Sequence, residues 1–473
     1  MIIKEGLGFD DVLLVPKRFR LKSRKEIDIS TYLTKEIRLS IPIVSSPMSN
    51  VTEAKMAIAM AREGGIGIIH RFMSIEEQVE QVKWVKRAEN IIIENPYTIT
   101  KDKTVKDAIL IMKKLNVSGL LVEENGKLIG IITKRDVLFA DENDKVEDVM
   151  TKKEDLIHAK YPIKIEEAKE IIKKHKIEKL PLVDENGFIK GLITAKDLLK
   201  LERYPNATKD KKGRLMVGAA VGLKDWYERS LKLIEAGVDV LCIDVAHGHM
   251  DWVIETVRNM RKEFGDKIQI IAGNVATKEG TKDLIDAGVD AVRVGIGSGS
   301  ICTTRIVTGA GVPQITAIID CAEVARKEEI PIIADGGIKS SGDIVKALAA
   351  EASTVMLGYL LAGTEESPGI SIMRNGKKYK LYKGMASALA NIERKIREKG
   401  EKIEEFIDYT PEGIEAIVPY KGTVHEIITQ LVGGIRSGFS YCGASNIKEL
   451  WENAEFIKVR SIKEGLPKEL FFI

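Results

Sequence analysis

Two stretches of the chain are copies of one unit: LIEAGVDVLCIDV, from Leu233 to Val245, and LIDAGVDAVRVGI, from Leu284 to Ile296. A looser third copy, ALAAEASTVMLGY, runs from Ala347 to Tyr359. Each reads as a helix end, a turn, and an apolar run that leads into a loop. A short run that is apolar throughout predicts a strand buried on both faces, as in a parallel sheet covered by helices. Repeating that unit narrows the fold to a closed (β/α)8 TIM barrel or an open doubly wound sheet. Strand-like runs at Ile41–Val44, Gly65–Ile69, Leu215–Ala220, Val240–Asp244, Ile268–Ala272, Ala291–Gly295, Ile330–Ala334 and Thr354–Leu357 supply the barrel's count, and Asp11–Val15 is a further such run. No GxGxxG pattern follows the first strand, which speaks against the open sheet. The expected fold is therefore α/β, a TIM barrel. A helix is expected over Glu53–Glu63, and Ser74 with Glu77 forms a capping box for a second, ending near Arg87.

The βα rhythm breaks between residues 92 and 202. There LLVEENGKLIGIITKRDVL (Leu120–Leu138) realigns with LPLVDENGFIKGLITAKDLL (Leu180–Leu199). Each copy has a strand, an ENG turn, a second strand and a helix opened by a TxxD pair: Thr133 with Asp136, and Thr194 with Asp197. An apolar helix precedes each, over Val105–Leu115 and Ile165–His175. Tandem copies imply a pseudo-symmetric module whose halves bury each other's faces. The barrel is thus expected in two parts, 1–91 and 203–473, around an inserted unit. Within that unit the Thr and Asp side chains are suited to capping helices.

In a barrel the site is built from the loops after the strands. Here these loops read SSPMS, GIIHR, DVAHGHMD, AGNVAT, GIGSGSICTTR, DGGI and GYLLAGT. The stretch 293–314 sets one thiol, Cys302, among glycines, with Ser300, Thr303, Thr304 and Arg305 beside it. A thiol among small polar residues and near a cation is placed to act as a thiolate nucleophile, whereas structural cysteines sit among apolar neighbours. Asp335, Gly336 and Gly337 after the seventh strand, and Gly358 and Tyr359 after the eighth, fit the phosphate position of barrels, with Asp335 free to accept from ribose hydroxyls. Asp244, His247 and His249 are too few ligands for a metal. His70 reads as a polar wall residue or a satisfied loop histidine.

Charge is balanced, 73 Lys+Arg against 70 Asp+Glu, which argues against nucleic acid or a membrane surface as partner. Cys242, Cys302, Cys321 and Cys442 are far apart and form no CxxC pair, so a reducing, cytoplasmic setting is expected. No signal peptide and no run of about twenty apolar residues is evident.

GSGSICTT, DGGI, AHGH, GNVAT and KYKLYKGM together resemble the family of IMP dehydrogenase and GMP reductase, across nearly the whole length. The duplicated unit resembles a tandem pair of CBS domains, a Bateman module. The resemblance implies a homotetramer or octamer that uses NAD or NADPH. It implies a thioimidate between Cys302 and purine C2, with hydride exchanged at that carbon. By matching motif, Ser46, Met48, Ser300, Asp335, Gly336, Gly337, Gly358, Tyr359, Tyr382, Gly384 and Met385 would hold the nucleotide. Asp244, Asn274 and Arg293 would line the nicotinamide side. Thr304 and Glu412 would handle water or ammonia. The carbonyls of Gly297, Gly299 and Cys302 match a potassium loop. Thr133, Asp136, Thr194 and Asp197 would bind the ribose of adenine nucleotides.

The chain departs from the dehydrogenase pattern in one place that bears on chemistry. In that enzyme an adjacent Arg-Tyr pair on a Gly-rich flap activates water. The corresponding interval, Ala386–Thr410, has no such pair; its one tyrosine is Tyr409, and its Lys/Arg and Glu spacing is helical. Tyr359 replaces a usual Ser in the phosphate turn, so the side-chain part of that contact is not expected. Ala386 in place of a usual Gly, and TGAG (Thr308–Gly311), agree with the missing pair. These features point to GMP reductase. The AHGH, PEGIE and VPYKG motifs keep IMP dehydrogenase as the alternative, with Arg394 or Arg397 as its base. A catalytically silent adenine-nucleotide sensor is the third reading.

Overall fold

The computed structural model of the chain describes residues 3–89, 92–115, 117–198, 204–392, 410–460 and 462. Eight parallel strands close a barrel: Ile43–Ser45, Ile66–Ile69, Gly218–Val221, Val240–Ile243, Gln269–Val275, Ala291–Val294, Ile332–Asp335 and Thr354–Leu357. The eighth pairs with the first, Val355 opposite Ile43, which removes any free edge. Nearly every strand residue is buried, because inward side chains fill the barrel and outward ones meet helices. Val44, Ile66, Ile68, Ala220, Val240, Ile271, Ala291, Ile333 and Met356 form the interior. An antiparallel pair, Thr31–Tyr32 with Arg38–Leu39, adds Leu33, Ile37 and Leu39 to that cluster. It plugs the end where the strands begin, since Thr31 donates to the carbonyl of Ser353 just before the eighth strand.

The expected elements recur with shifts that matter. Helices occupy Ala54–Arg62 and Ile75–Ala88, and Ser74 and Glu77 exchange the two hydrogen bonds of a capping box. The run at Asp11–Val15 is not a barrel strand. Val12–Leu14 pairs outside the barrel with Phe456–Lys458, a strand missed in the sequence. The fifth strand runs on to Val275, which carries Asn274 past the expected end and into the mouth of the barrel. In the first two repeats the turn glycines Gly237 and Gly288 sit at φ 90° and 102°, the left-handed region that suits glycine. Asp239 and Asp290 then accept the main-chain N–H of Val217 and Ile270 on the neighbouring strands, at 2.8 and 2.7 Å.

A second compact unit comprises Glu89–Pro205 and Lys211–Arg214. One half has the sheet Thr98–Thr100, Gly119–Glu124, Lys127–Thr133, Thr151–Lys152 and the helix Val105–Lys114. The other has Ala159–Lys160, Lys179–Val183, Ile189–Thr194 and the helix Ile165–His175. Leu121, Leu128 and Ile131 of one half pack with Val183 and Leu192 of the other. The two TxxD pairs behave differently. Thr194 caps residues 195–198, accepting the N–H of Asp197 at 3.2 Å. In the first copy Asp136 takes both the N–H and the hydroxyl of Thr133 at 2.7 Å. The expected helix there is only a 3-10 turn, Asp136–Leu138. Among the described residues no helix is long and apolar enough to cross a membrane.

Candidate active site

A cavity of about 370 Å³ opens at the end of the barrel where the strands finish. Loops from seven of the eight strands reach it, and all the residues that the motifs assign to substrate, nicotinamide and chemistry line it. Ser46 and Met48 follow the first strand, Asp244 the fourth, and Asn274 and Arg293 come from the fifth and sixth. The glycine loop 295–302 follows the sixth, Asp335, Gly336 and Gly337 the seventh, and Gly358 and Tyr359 the eighth. Tyr382, Gly384, Met385 and Glu412 come from beyond the barrel.

The thiol loop is held against two neighbours. On one side it crosses the seventh strand end closely. A Cβ at Gly295 would lie 2.0 Å from the Asp335 carbonyl, and one at Gly336 would lie 2.3 Å from Ser298 Oγ; only glycine fits either position. Gln314, buried at the start of the next helix, donates from Nε2 to the carbonyls of Val294 and Asp335, at 2.9 and 3.2 Å. On the other side the loop pairs with the strap around Glu412. Thr303 N–H donates to the Glu412 carbonyl at 2.8 Å, Ile414 N–H to Ile301 at 3.1 Å, and Cys302 bridges Gly413.

These contacts set up a relay of three side chains. The Cys302 thiol donates to Thr304 Oγ1 at 3.2 Å, and Thr304 donates to Glu412 Oε2 at 2.7 Å. A nucleophile, a hydroxyl and a carboxylate in line can pass a proton to or from a group bound at the thiol. Cys302 is half-buried, and it alone of the four cysteines lines this cavity. The others are inert by environment: burial pushes the thiols of Cys242 and Cys442 up to about 11 and that of Cys321 up to about 12.

The cavity floor is a charge network. Arg293 is buried and donates to Asp244 at 3.1 Å and to Asp335 at 2.8 Å. Burial opposes its charge, but the Cys242 sulfur, Asp335 and Asp244 around it hold the guanidinium protonated. Asn274 donates to Asp335 and to the Gly295 carbonyl, both at 2.9 Å. Asn274 Oδ1 and Arg293 Nε are buried with no hydrogen-bond partner. Such orphaned groups call for a polar ligand, so a carboxamide-bearing ring such as nicotinamide fits this side. Tyr382 is buried beside Gly358, and burial keeps its hydroxyl a proton donor. The Tyr359 ring lies 6.2 Å from that of Tyr382, with Lys421 Nζ 4.5 Å over it.

Some residues were not foreseen. Arg71 lines the cavity and donates to the Asp244 carbonyl at 3.3 Å; its position at the end of the GIIHR run was the available signal. Gln314 carried no signal at all. His70 is wholly buried, accepts the Phe72 N–H and faces Glu53 at 3.3 Å; it is a satisfied loop histidine. His249 pairs with Asp283 at 2.8 Å. Ala386 and the first helical residues, 388–392, are described, whereas Arg394, Arg397 and Tyr409 lie outside the described residues.

Fold and chemistry together define a TIM-barrel oxidoreductase that acts on purine nucleotides. The chain belongs to the IMP dehydrogenase / GMP reductase family, whose domain model matches residues 6–467. Inosine-5'-monophosphate dehydrogenase of Nitrosopumilus maritimus is 56% identical over 463 residues, covering 97% of each chain. That of Bacillus subtilis is 53% identical over 478 residues, covering 99% of this chain and 96% of its own. Among solved structures, a cysteine-to-alanine GMP reductase from Trypanosoma brucei in complex with guanosine 5'-monophosphate superimposes with a TM-score of 0.85. It is 45% identical and covers 97% of this chain and 96% of its own.

Proposed function

We propose that this protein is a GMP reductase, converting GMP, NADPH and a proton to IMP, ammonia and NADP. The observation that carries this reading is the pairing of an intact Cys302–Thr304–Glu412 relay with an interval, 386–410, that has no adjacent Arg-Tyr. Releasing ammonia needs a proton delivered beside the thiol, which the relay can do. Hydrolysis needs a base for water, and losing one removes about 10²–10⁴ of rate. Cys302 attacks C2 and forms the C–S bond. Thr304 and Glu412 protonate the 2-amino group as its C–N bond breaks, and ammonia leaves. Asp244, Asn274 and Arg293 would hold a nicotinamide, which would supply one hydride to C2. The C–S bond then breaks, and Cys302 keeps the electron pair as thiolate.

Ser300, Asp335, the main chain at Gly336, Gly337 and Gly358, and Tyr382 hold the nucleotide in this reading, with Ser46, Met48, Tyr359, Gly384 and Met385 as the remaining walls. A potassium ion would use the carbonyls of Gly297, Gly299 and Cys302; Gly299 already accepts the Cys302 N–H at 3.1 Å, which leaves its second lone pair. The second compact unit is a tandem CBS pair, with adenine nucleotides at Thr133/Asp136 and Thr194/Asp197. The enzyme is a cytoplasmic homotetramer or octamer.

The second reading, IMP dehydrogenase, is favoured by the names of the relatives at 50–56% identity. One assay separates them. Purified protein given GMP and NADPH is expected to oxidise the cofactor and release IMP and ammonia. Reduction of NAD on addition of IMP, with XMP formed at comparable turnover, would overturn the reductase assignment.

A further inference from the structure

A second cavity, about 420 Å³, lies at the opposite end of the barrel, where the strands begin. Its walls come from the plug pair (Tyr32, Thr34), the end of the helix Gln314–Ala325 and the following turn (Arg326, Glu329), Glu351, and Trp451. The volume is within the range of small-molecule sites, about 300–1,000 Å³.

The repeat shows that this place departs from the barrel's own rule. In the first two copies the helix-to-strand turn is Gly237 or Gly288, and the residue two further on is Asp239 or Asp290, which stitches the turn to the neighbouring strand. In the third copy those positions are Glu351 and Ser353. Glu351 sits at φ 76°, a conformation unfavourable for any residue with a Cβ and usually taken by glycine. A second wall residue, Glu329, also stands in the left-handed region, at φ 54°. Strained non-glycine residues of this kind gather at ligand sites. The strain at Glu351 presents a carboxylate to the cavity wall, braced by Arg326 at 2.8 Å. Ser353 brings no carboxylate, and its carbonyl takes the Thr31 hydroxyl instead. The stitch is absent, and the cavity stands in its place.

One wall group is also unsatisfied. Trp451 Nε1 is buried and has no hydrogen-bond partner. Buried donors are almost always paired, so this N–H is open to an acceptor.

We propose that this cavity is a second ligand site, for a purine nucleoside or nucleotide whose base carries an amino group. The base's ring acceptor takes the Trp451 N–H. Its N–H donors face the carboxylates of Glu351 and Glu329, with Tyr32 and Trp451 as aromatic walls. Arg326, also on the wall, lies near for an anionic tail. The helix Gln314–Ala325 links this cavity to the catalytic mouth, since Gln314 at its start ties the ends of the sixth and seventh strands. Occupancy can therefore be felt at the thiol loop. The proposal does not depend on the direction of the catalysed reaction.

The test uses the full-length protein labelled with 5-fluorotryptophan. Its four tryptophan signals are resolved by fluorine NMR, and that of residue 451 is assigned with Trp451→Phe. Guanosine, adenosine, GMP and AMP are titrated in turn. The expected result is a saturable shift of the Trp451 signal with at least one of them, weakened at least tenfold in Glu351→Gly. That variant restores the glycine of the other two copies, so it is expected to fold with an equal or higher Tm and unchanged basal turnover. No shift with any of the four at millimolar concentration would sink the proposal. So would a shift of equal affinity in Glu351→Gly, because the signal would then report binding elsewhere.

Discussion

The molecule bonds threonine hydroxyls to carboxylates in two ways. In the second compact unit Thr133 and Thr194 bond Asp136 and Asp197, three residues along the chain. In the barrel Thr304 bonds Glu412, 108 residues away. The chemistry of the pairs is the same, but their origin differs. A contact three residues away forms wherever the local backbone turns, and a turn or a helix cap explains it. A contact across 108 residues exists only because the strap around Glu412 is stitched to the thiol loop by main-chain hydrogen bonds. It also has a thiol at its other end. The local pairs are therefore weak pointers to function, and the distant one is a strong one.

That contrast can be broken by experiment. The largest effect is expected at the thiol itself: Cys302→Ala should lower turnover by at least about 10⁴-fold, the order lost with a covalent nucleophile, while nucleotide binding by calorimetry persists. Retained turnover would remove the thiol from the mechanism. Glu412→Gln comes next, with a loss of about 10²–10³-fold in kcat and little change in nucleotide KM, since it removes proton transfer and leaves the cavity walls in place. A change in KM alone would make Glu412 a binding residue. The smallest effects belong to the local pairs. Thr194→Ala should cost about 1 kcal/mol of stability in the second unit, as for a lost helix cap, and Thr133→Ala less, because no helix starts there. Neither should change turnover measured without adenine nucleotides. Equal losses at the two sites, seen by denaturant unfolding, would contradict the different geometries drawn for them.

Much of the barrel was legible because its information is local. Apolar runs of four or five residues mark strands buried on both faces, and the repeated turn marks where each helix hands over to a strand. The helix bounds at Ala54–Arg62 and the Ser74–Glu77 capping box were readable for the same reason. What misled was also local. Asp11–Val15 has the composition of a strand, and it is one, but its partner Phe456–Lys458 lies at the far end of the chain, where no pattern announces it. The TxxD after Thr133 looked like a helix start, and only a single 3-10 turn follows it. Gln314 showed no spacing or composition that would distinguish a brace from an ordinary polar residue, and Arg71 had only its place at the end of the GIIHR run.

The sequence by itself determined the class of fold, the presence of a duplicated insert, and a thiol set among glycines and hydroxyls, because periodicity and glycine density are properties of neighbours along the chain. Only the tertiary structure decided what that thiol touches. It placed Glu412 at the end of the relay, set Arg293 between Asp244 and Asp335, and opened a cavity where the third repeat trades glycine for Glu351. Each of these depends on which distant segments a closed barrel brings within hydrogen-bond reach, and that is set by packing rather than by any short stretch of residues.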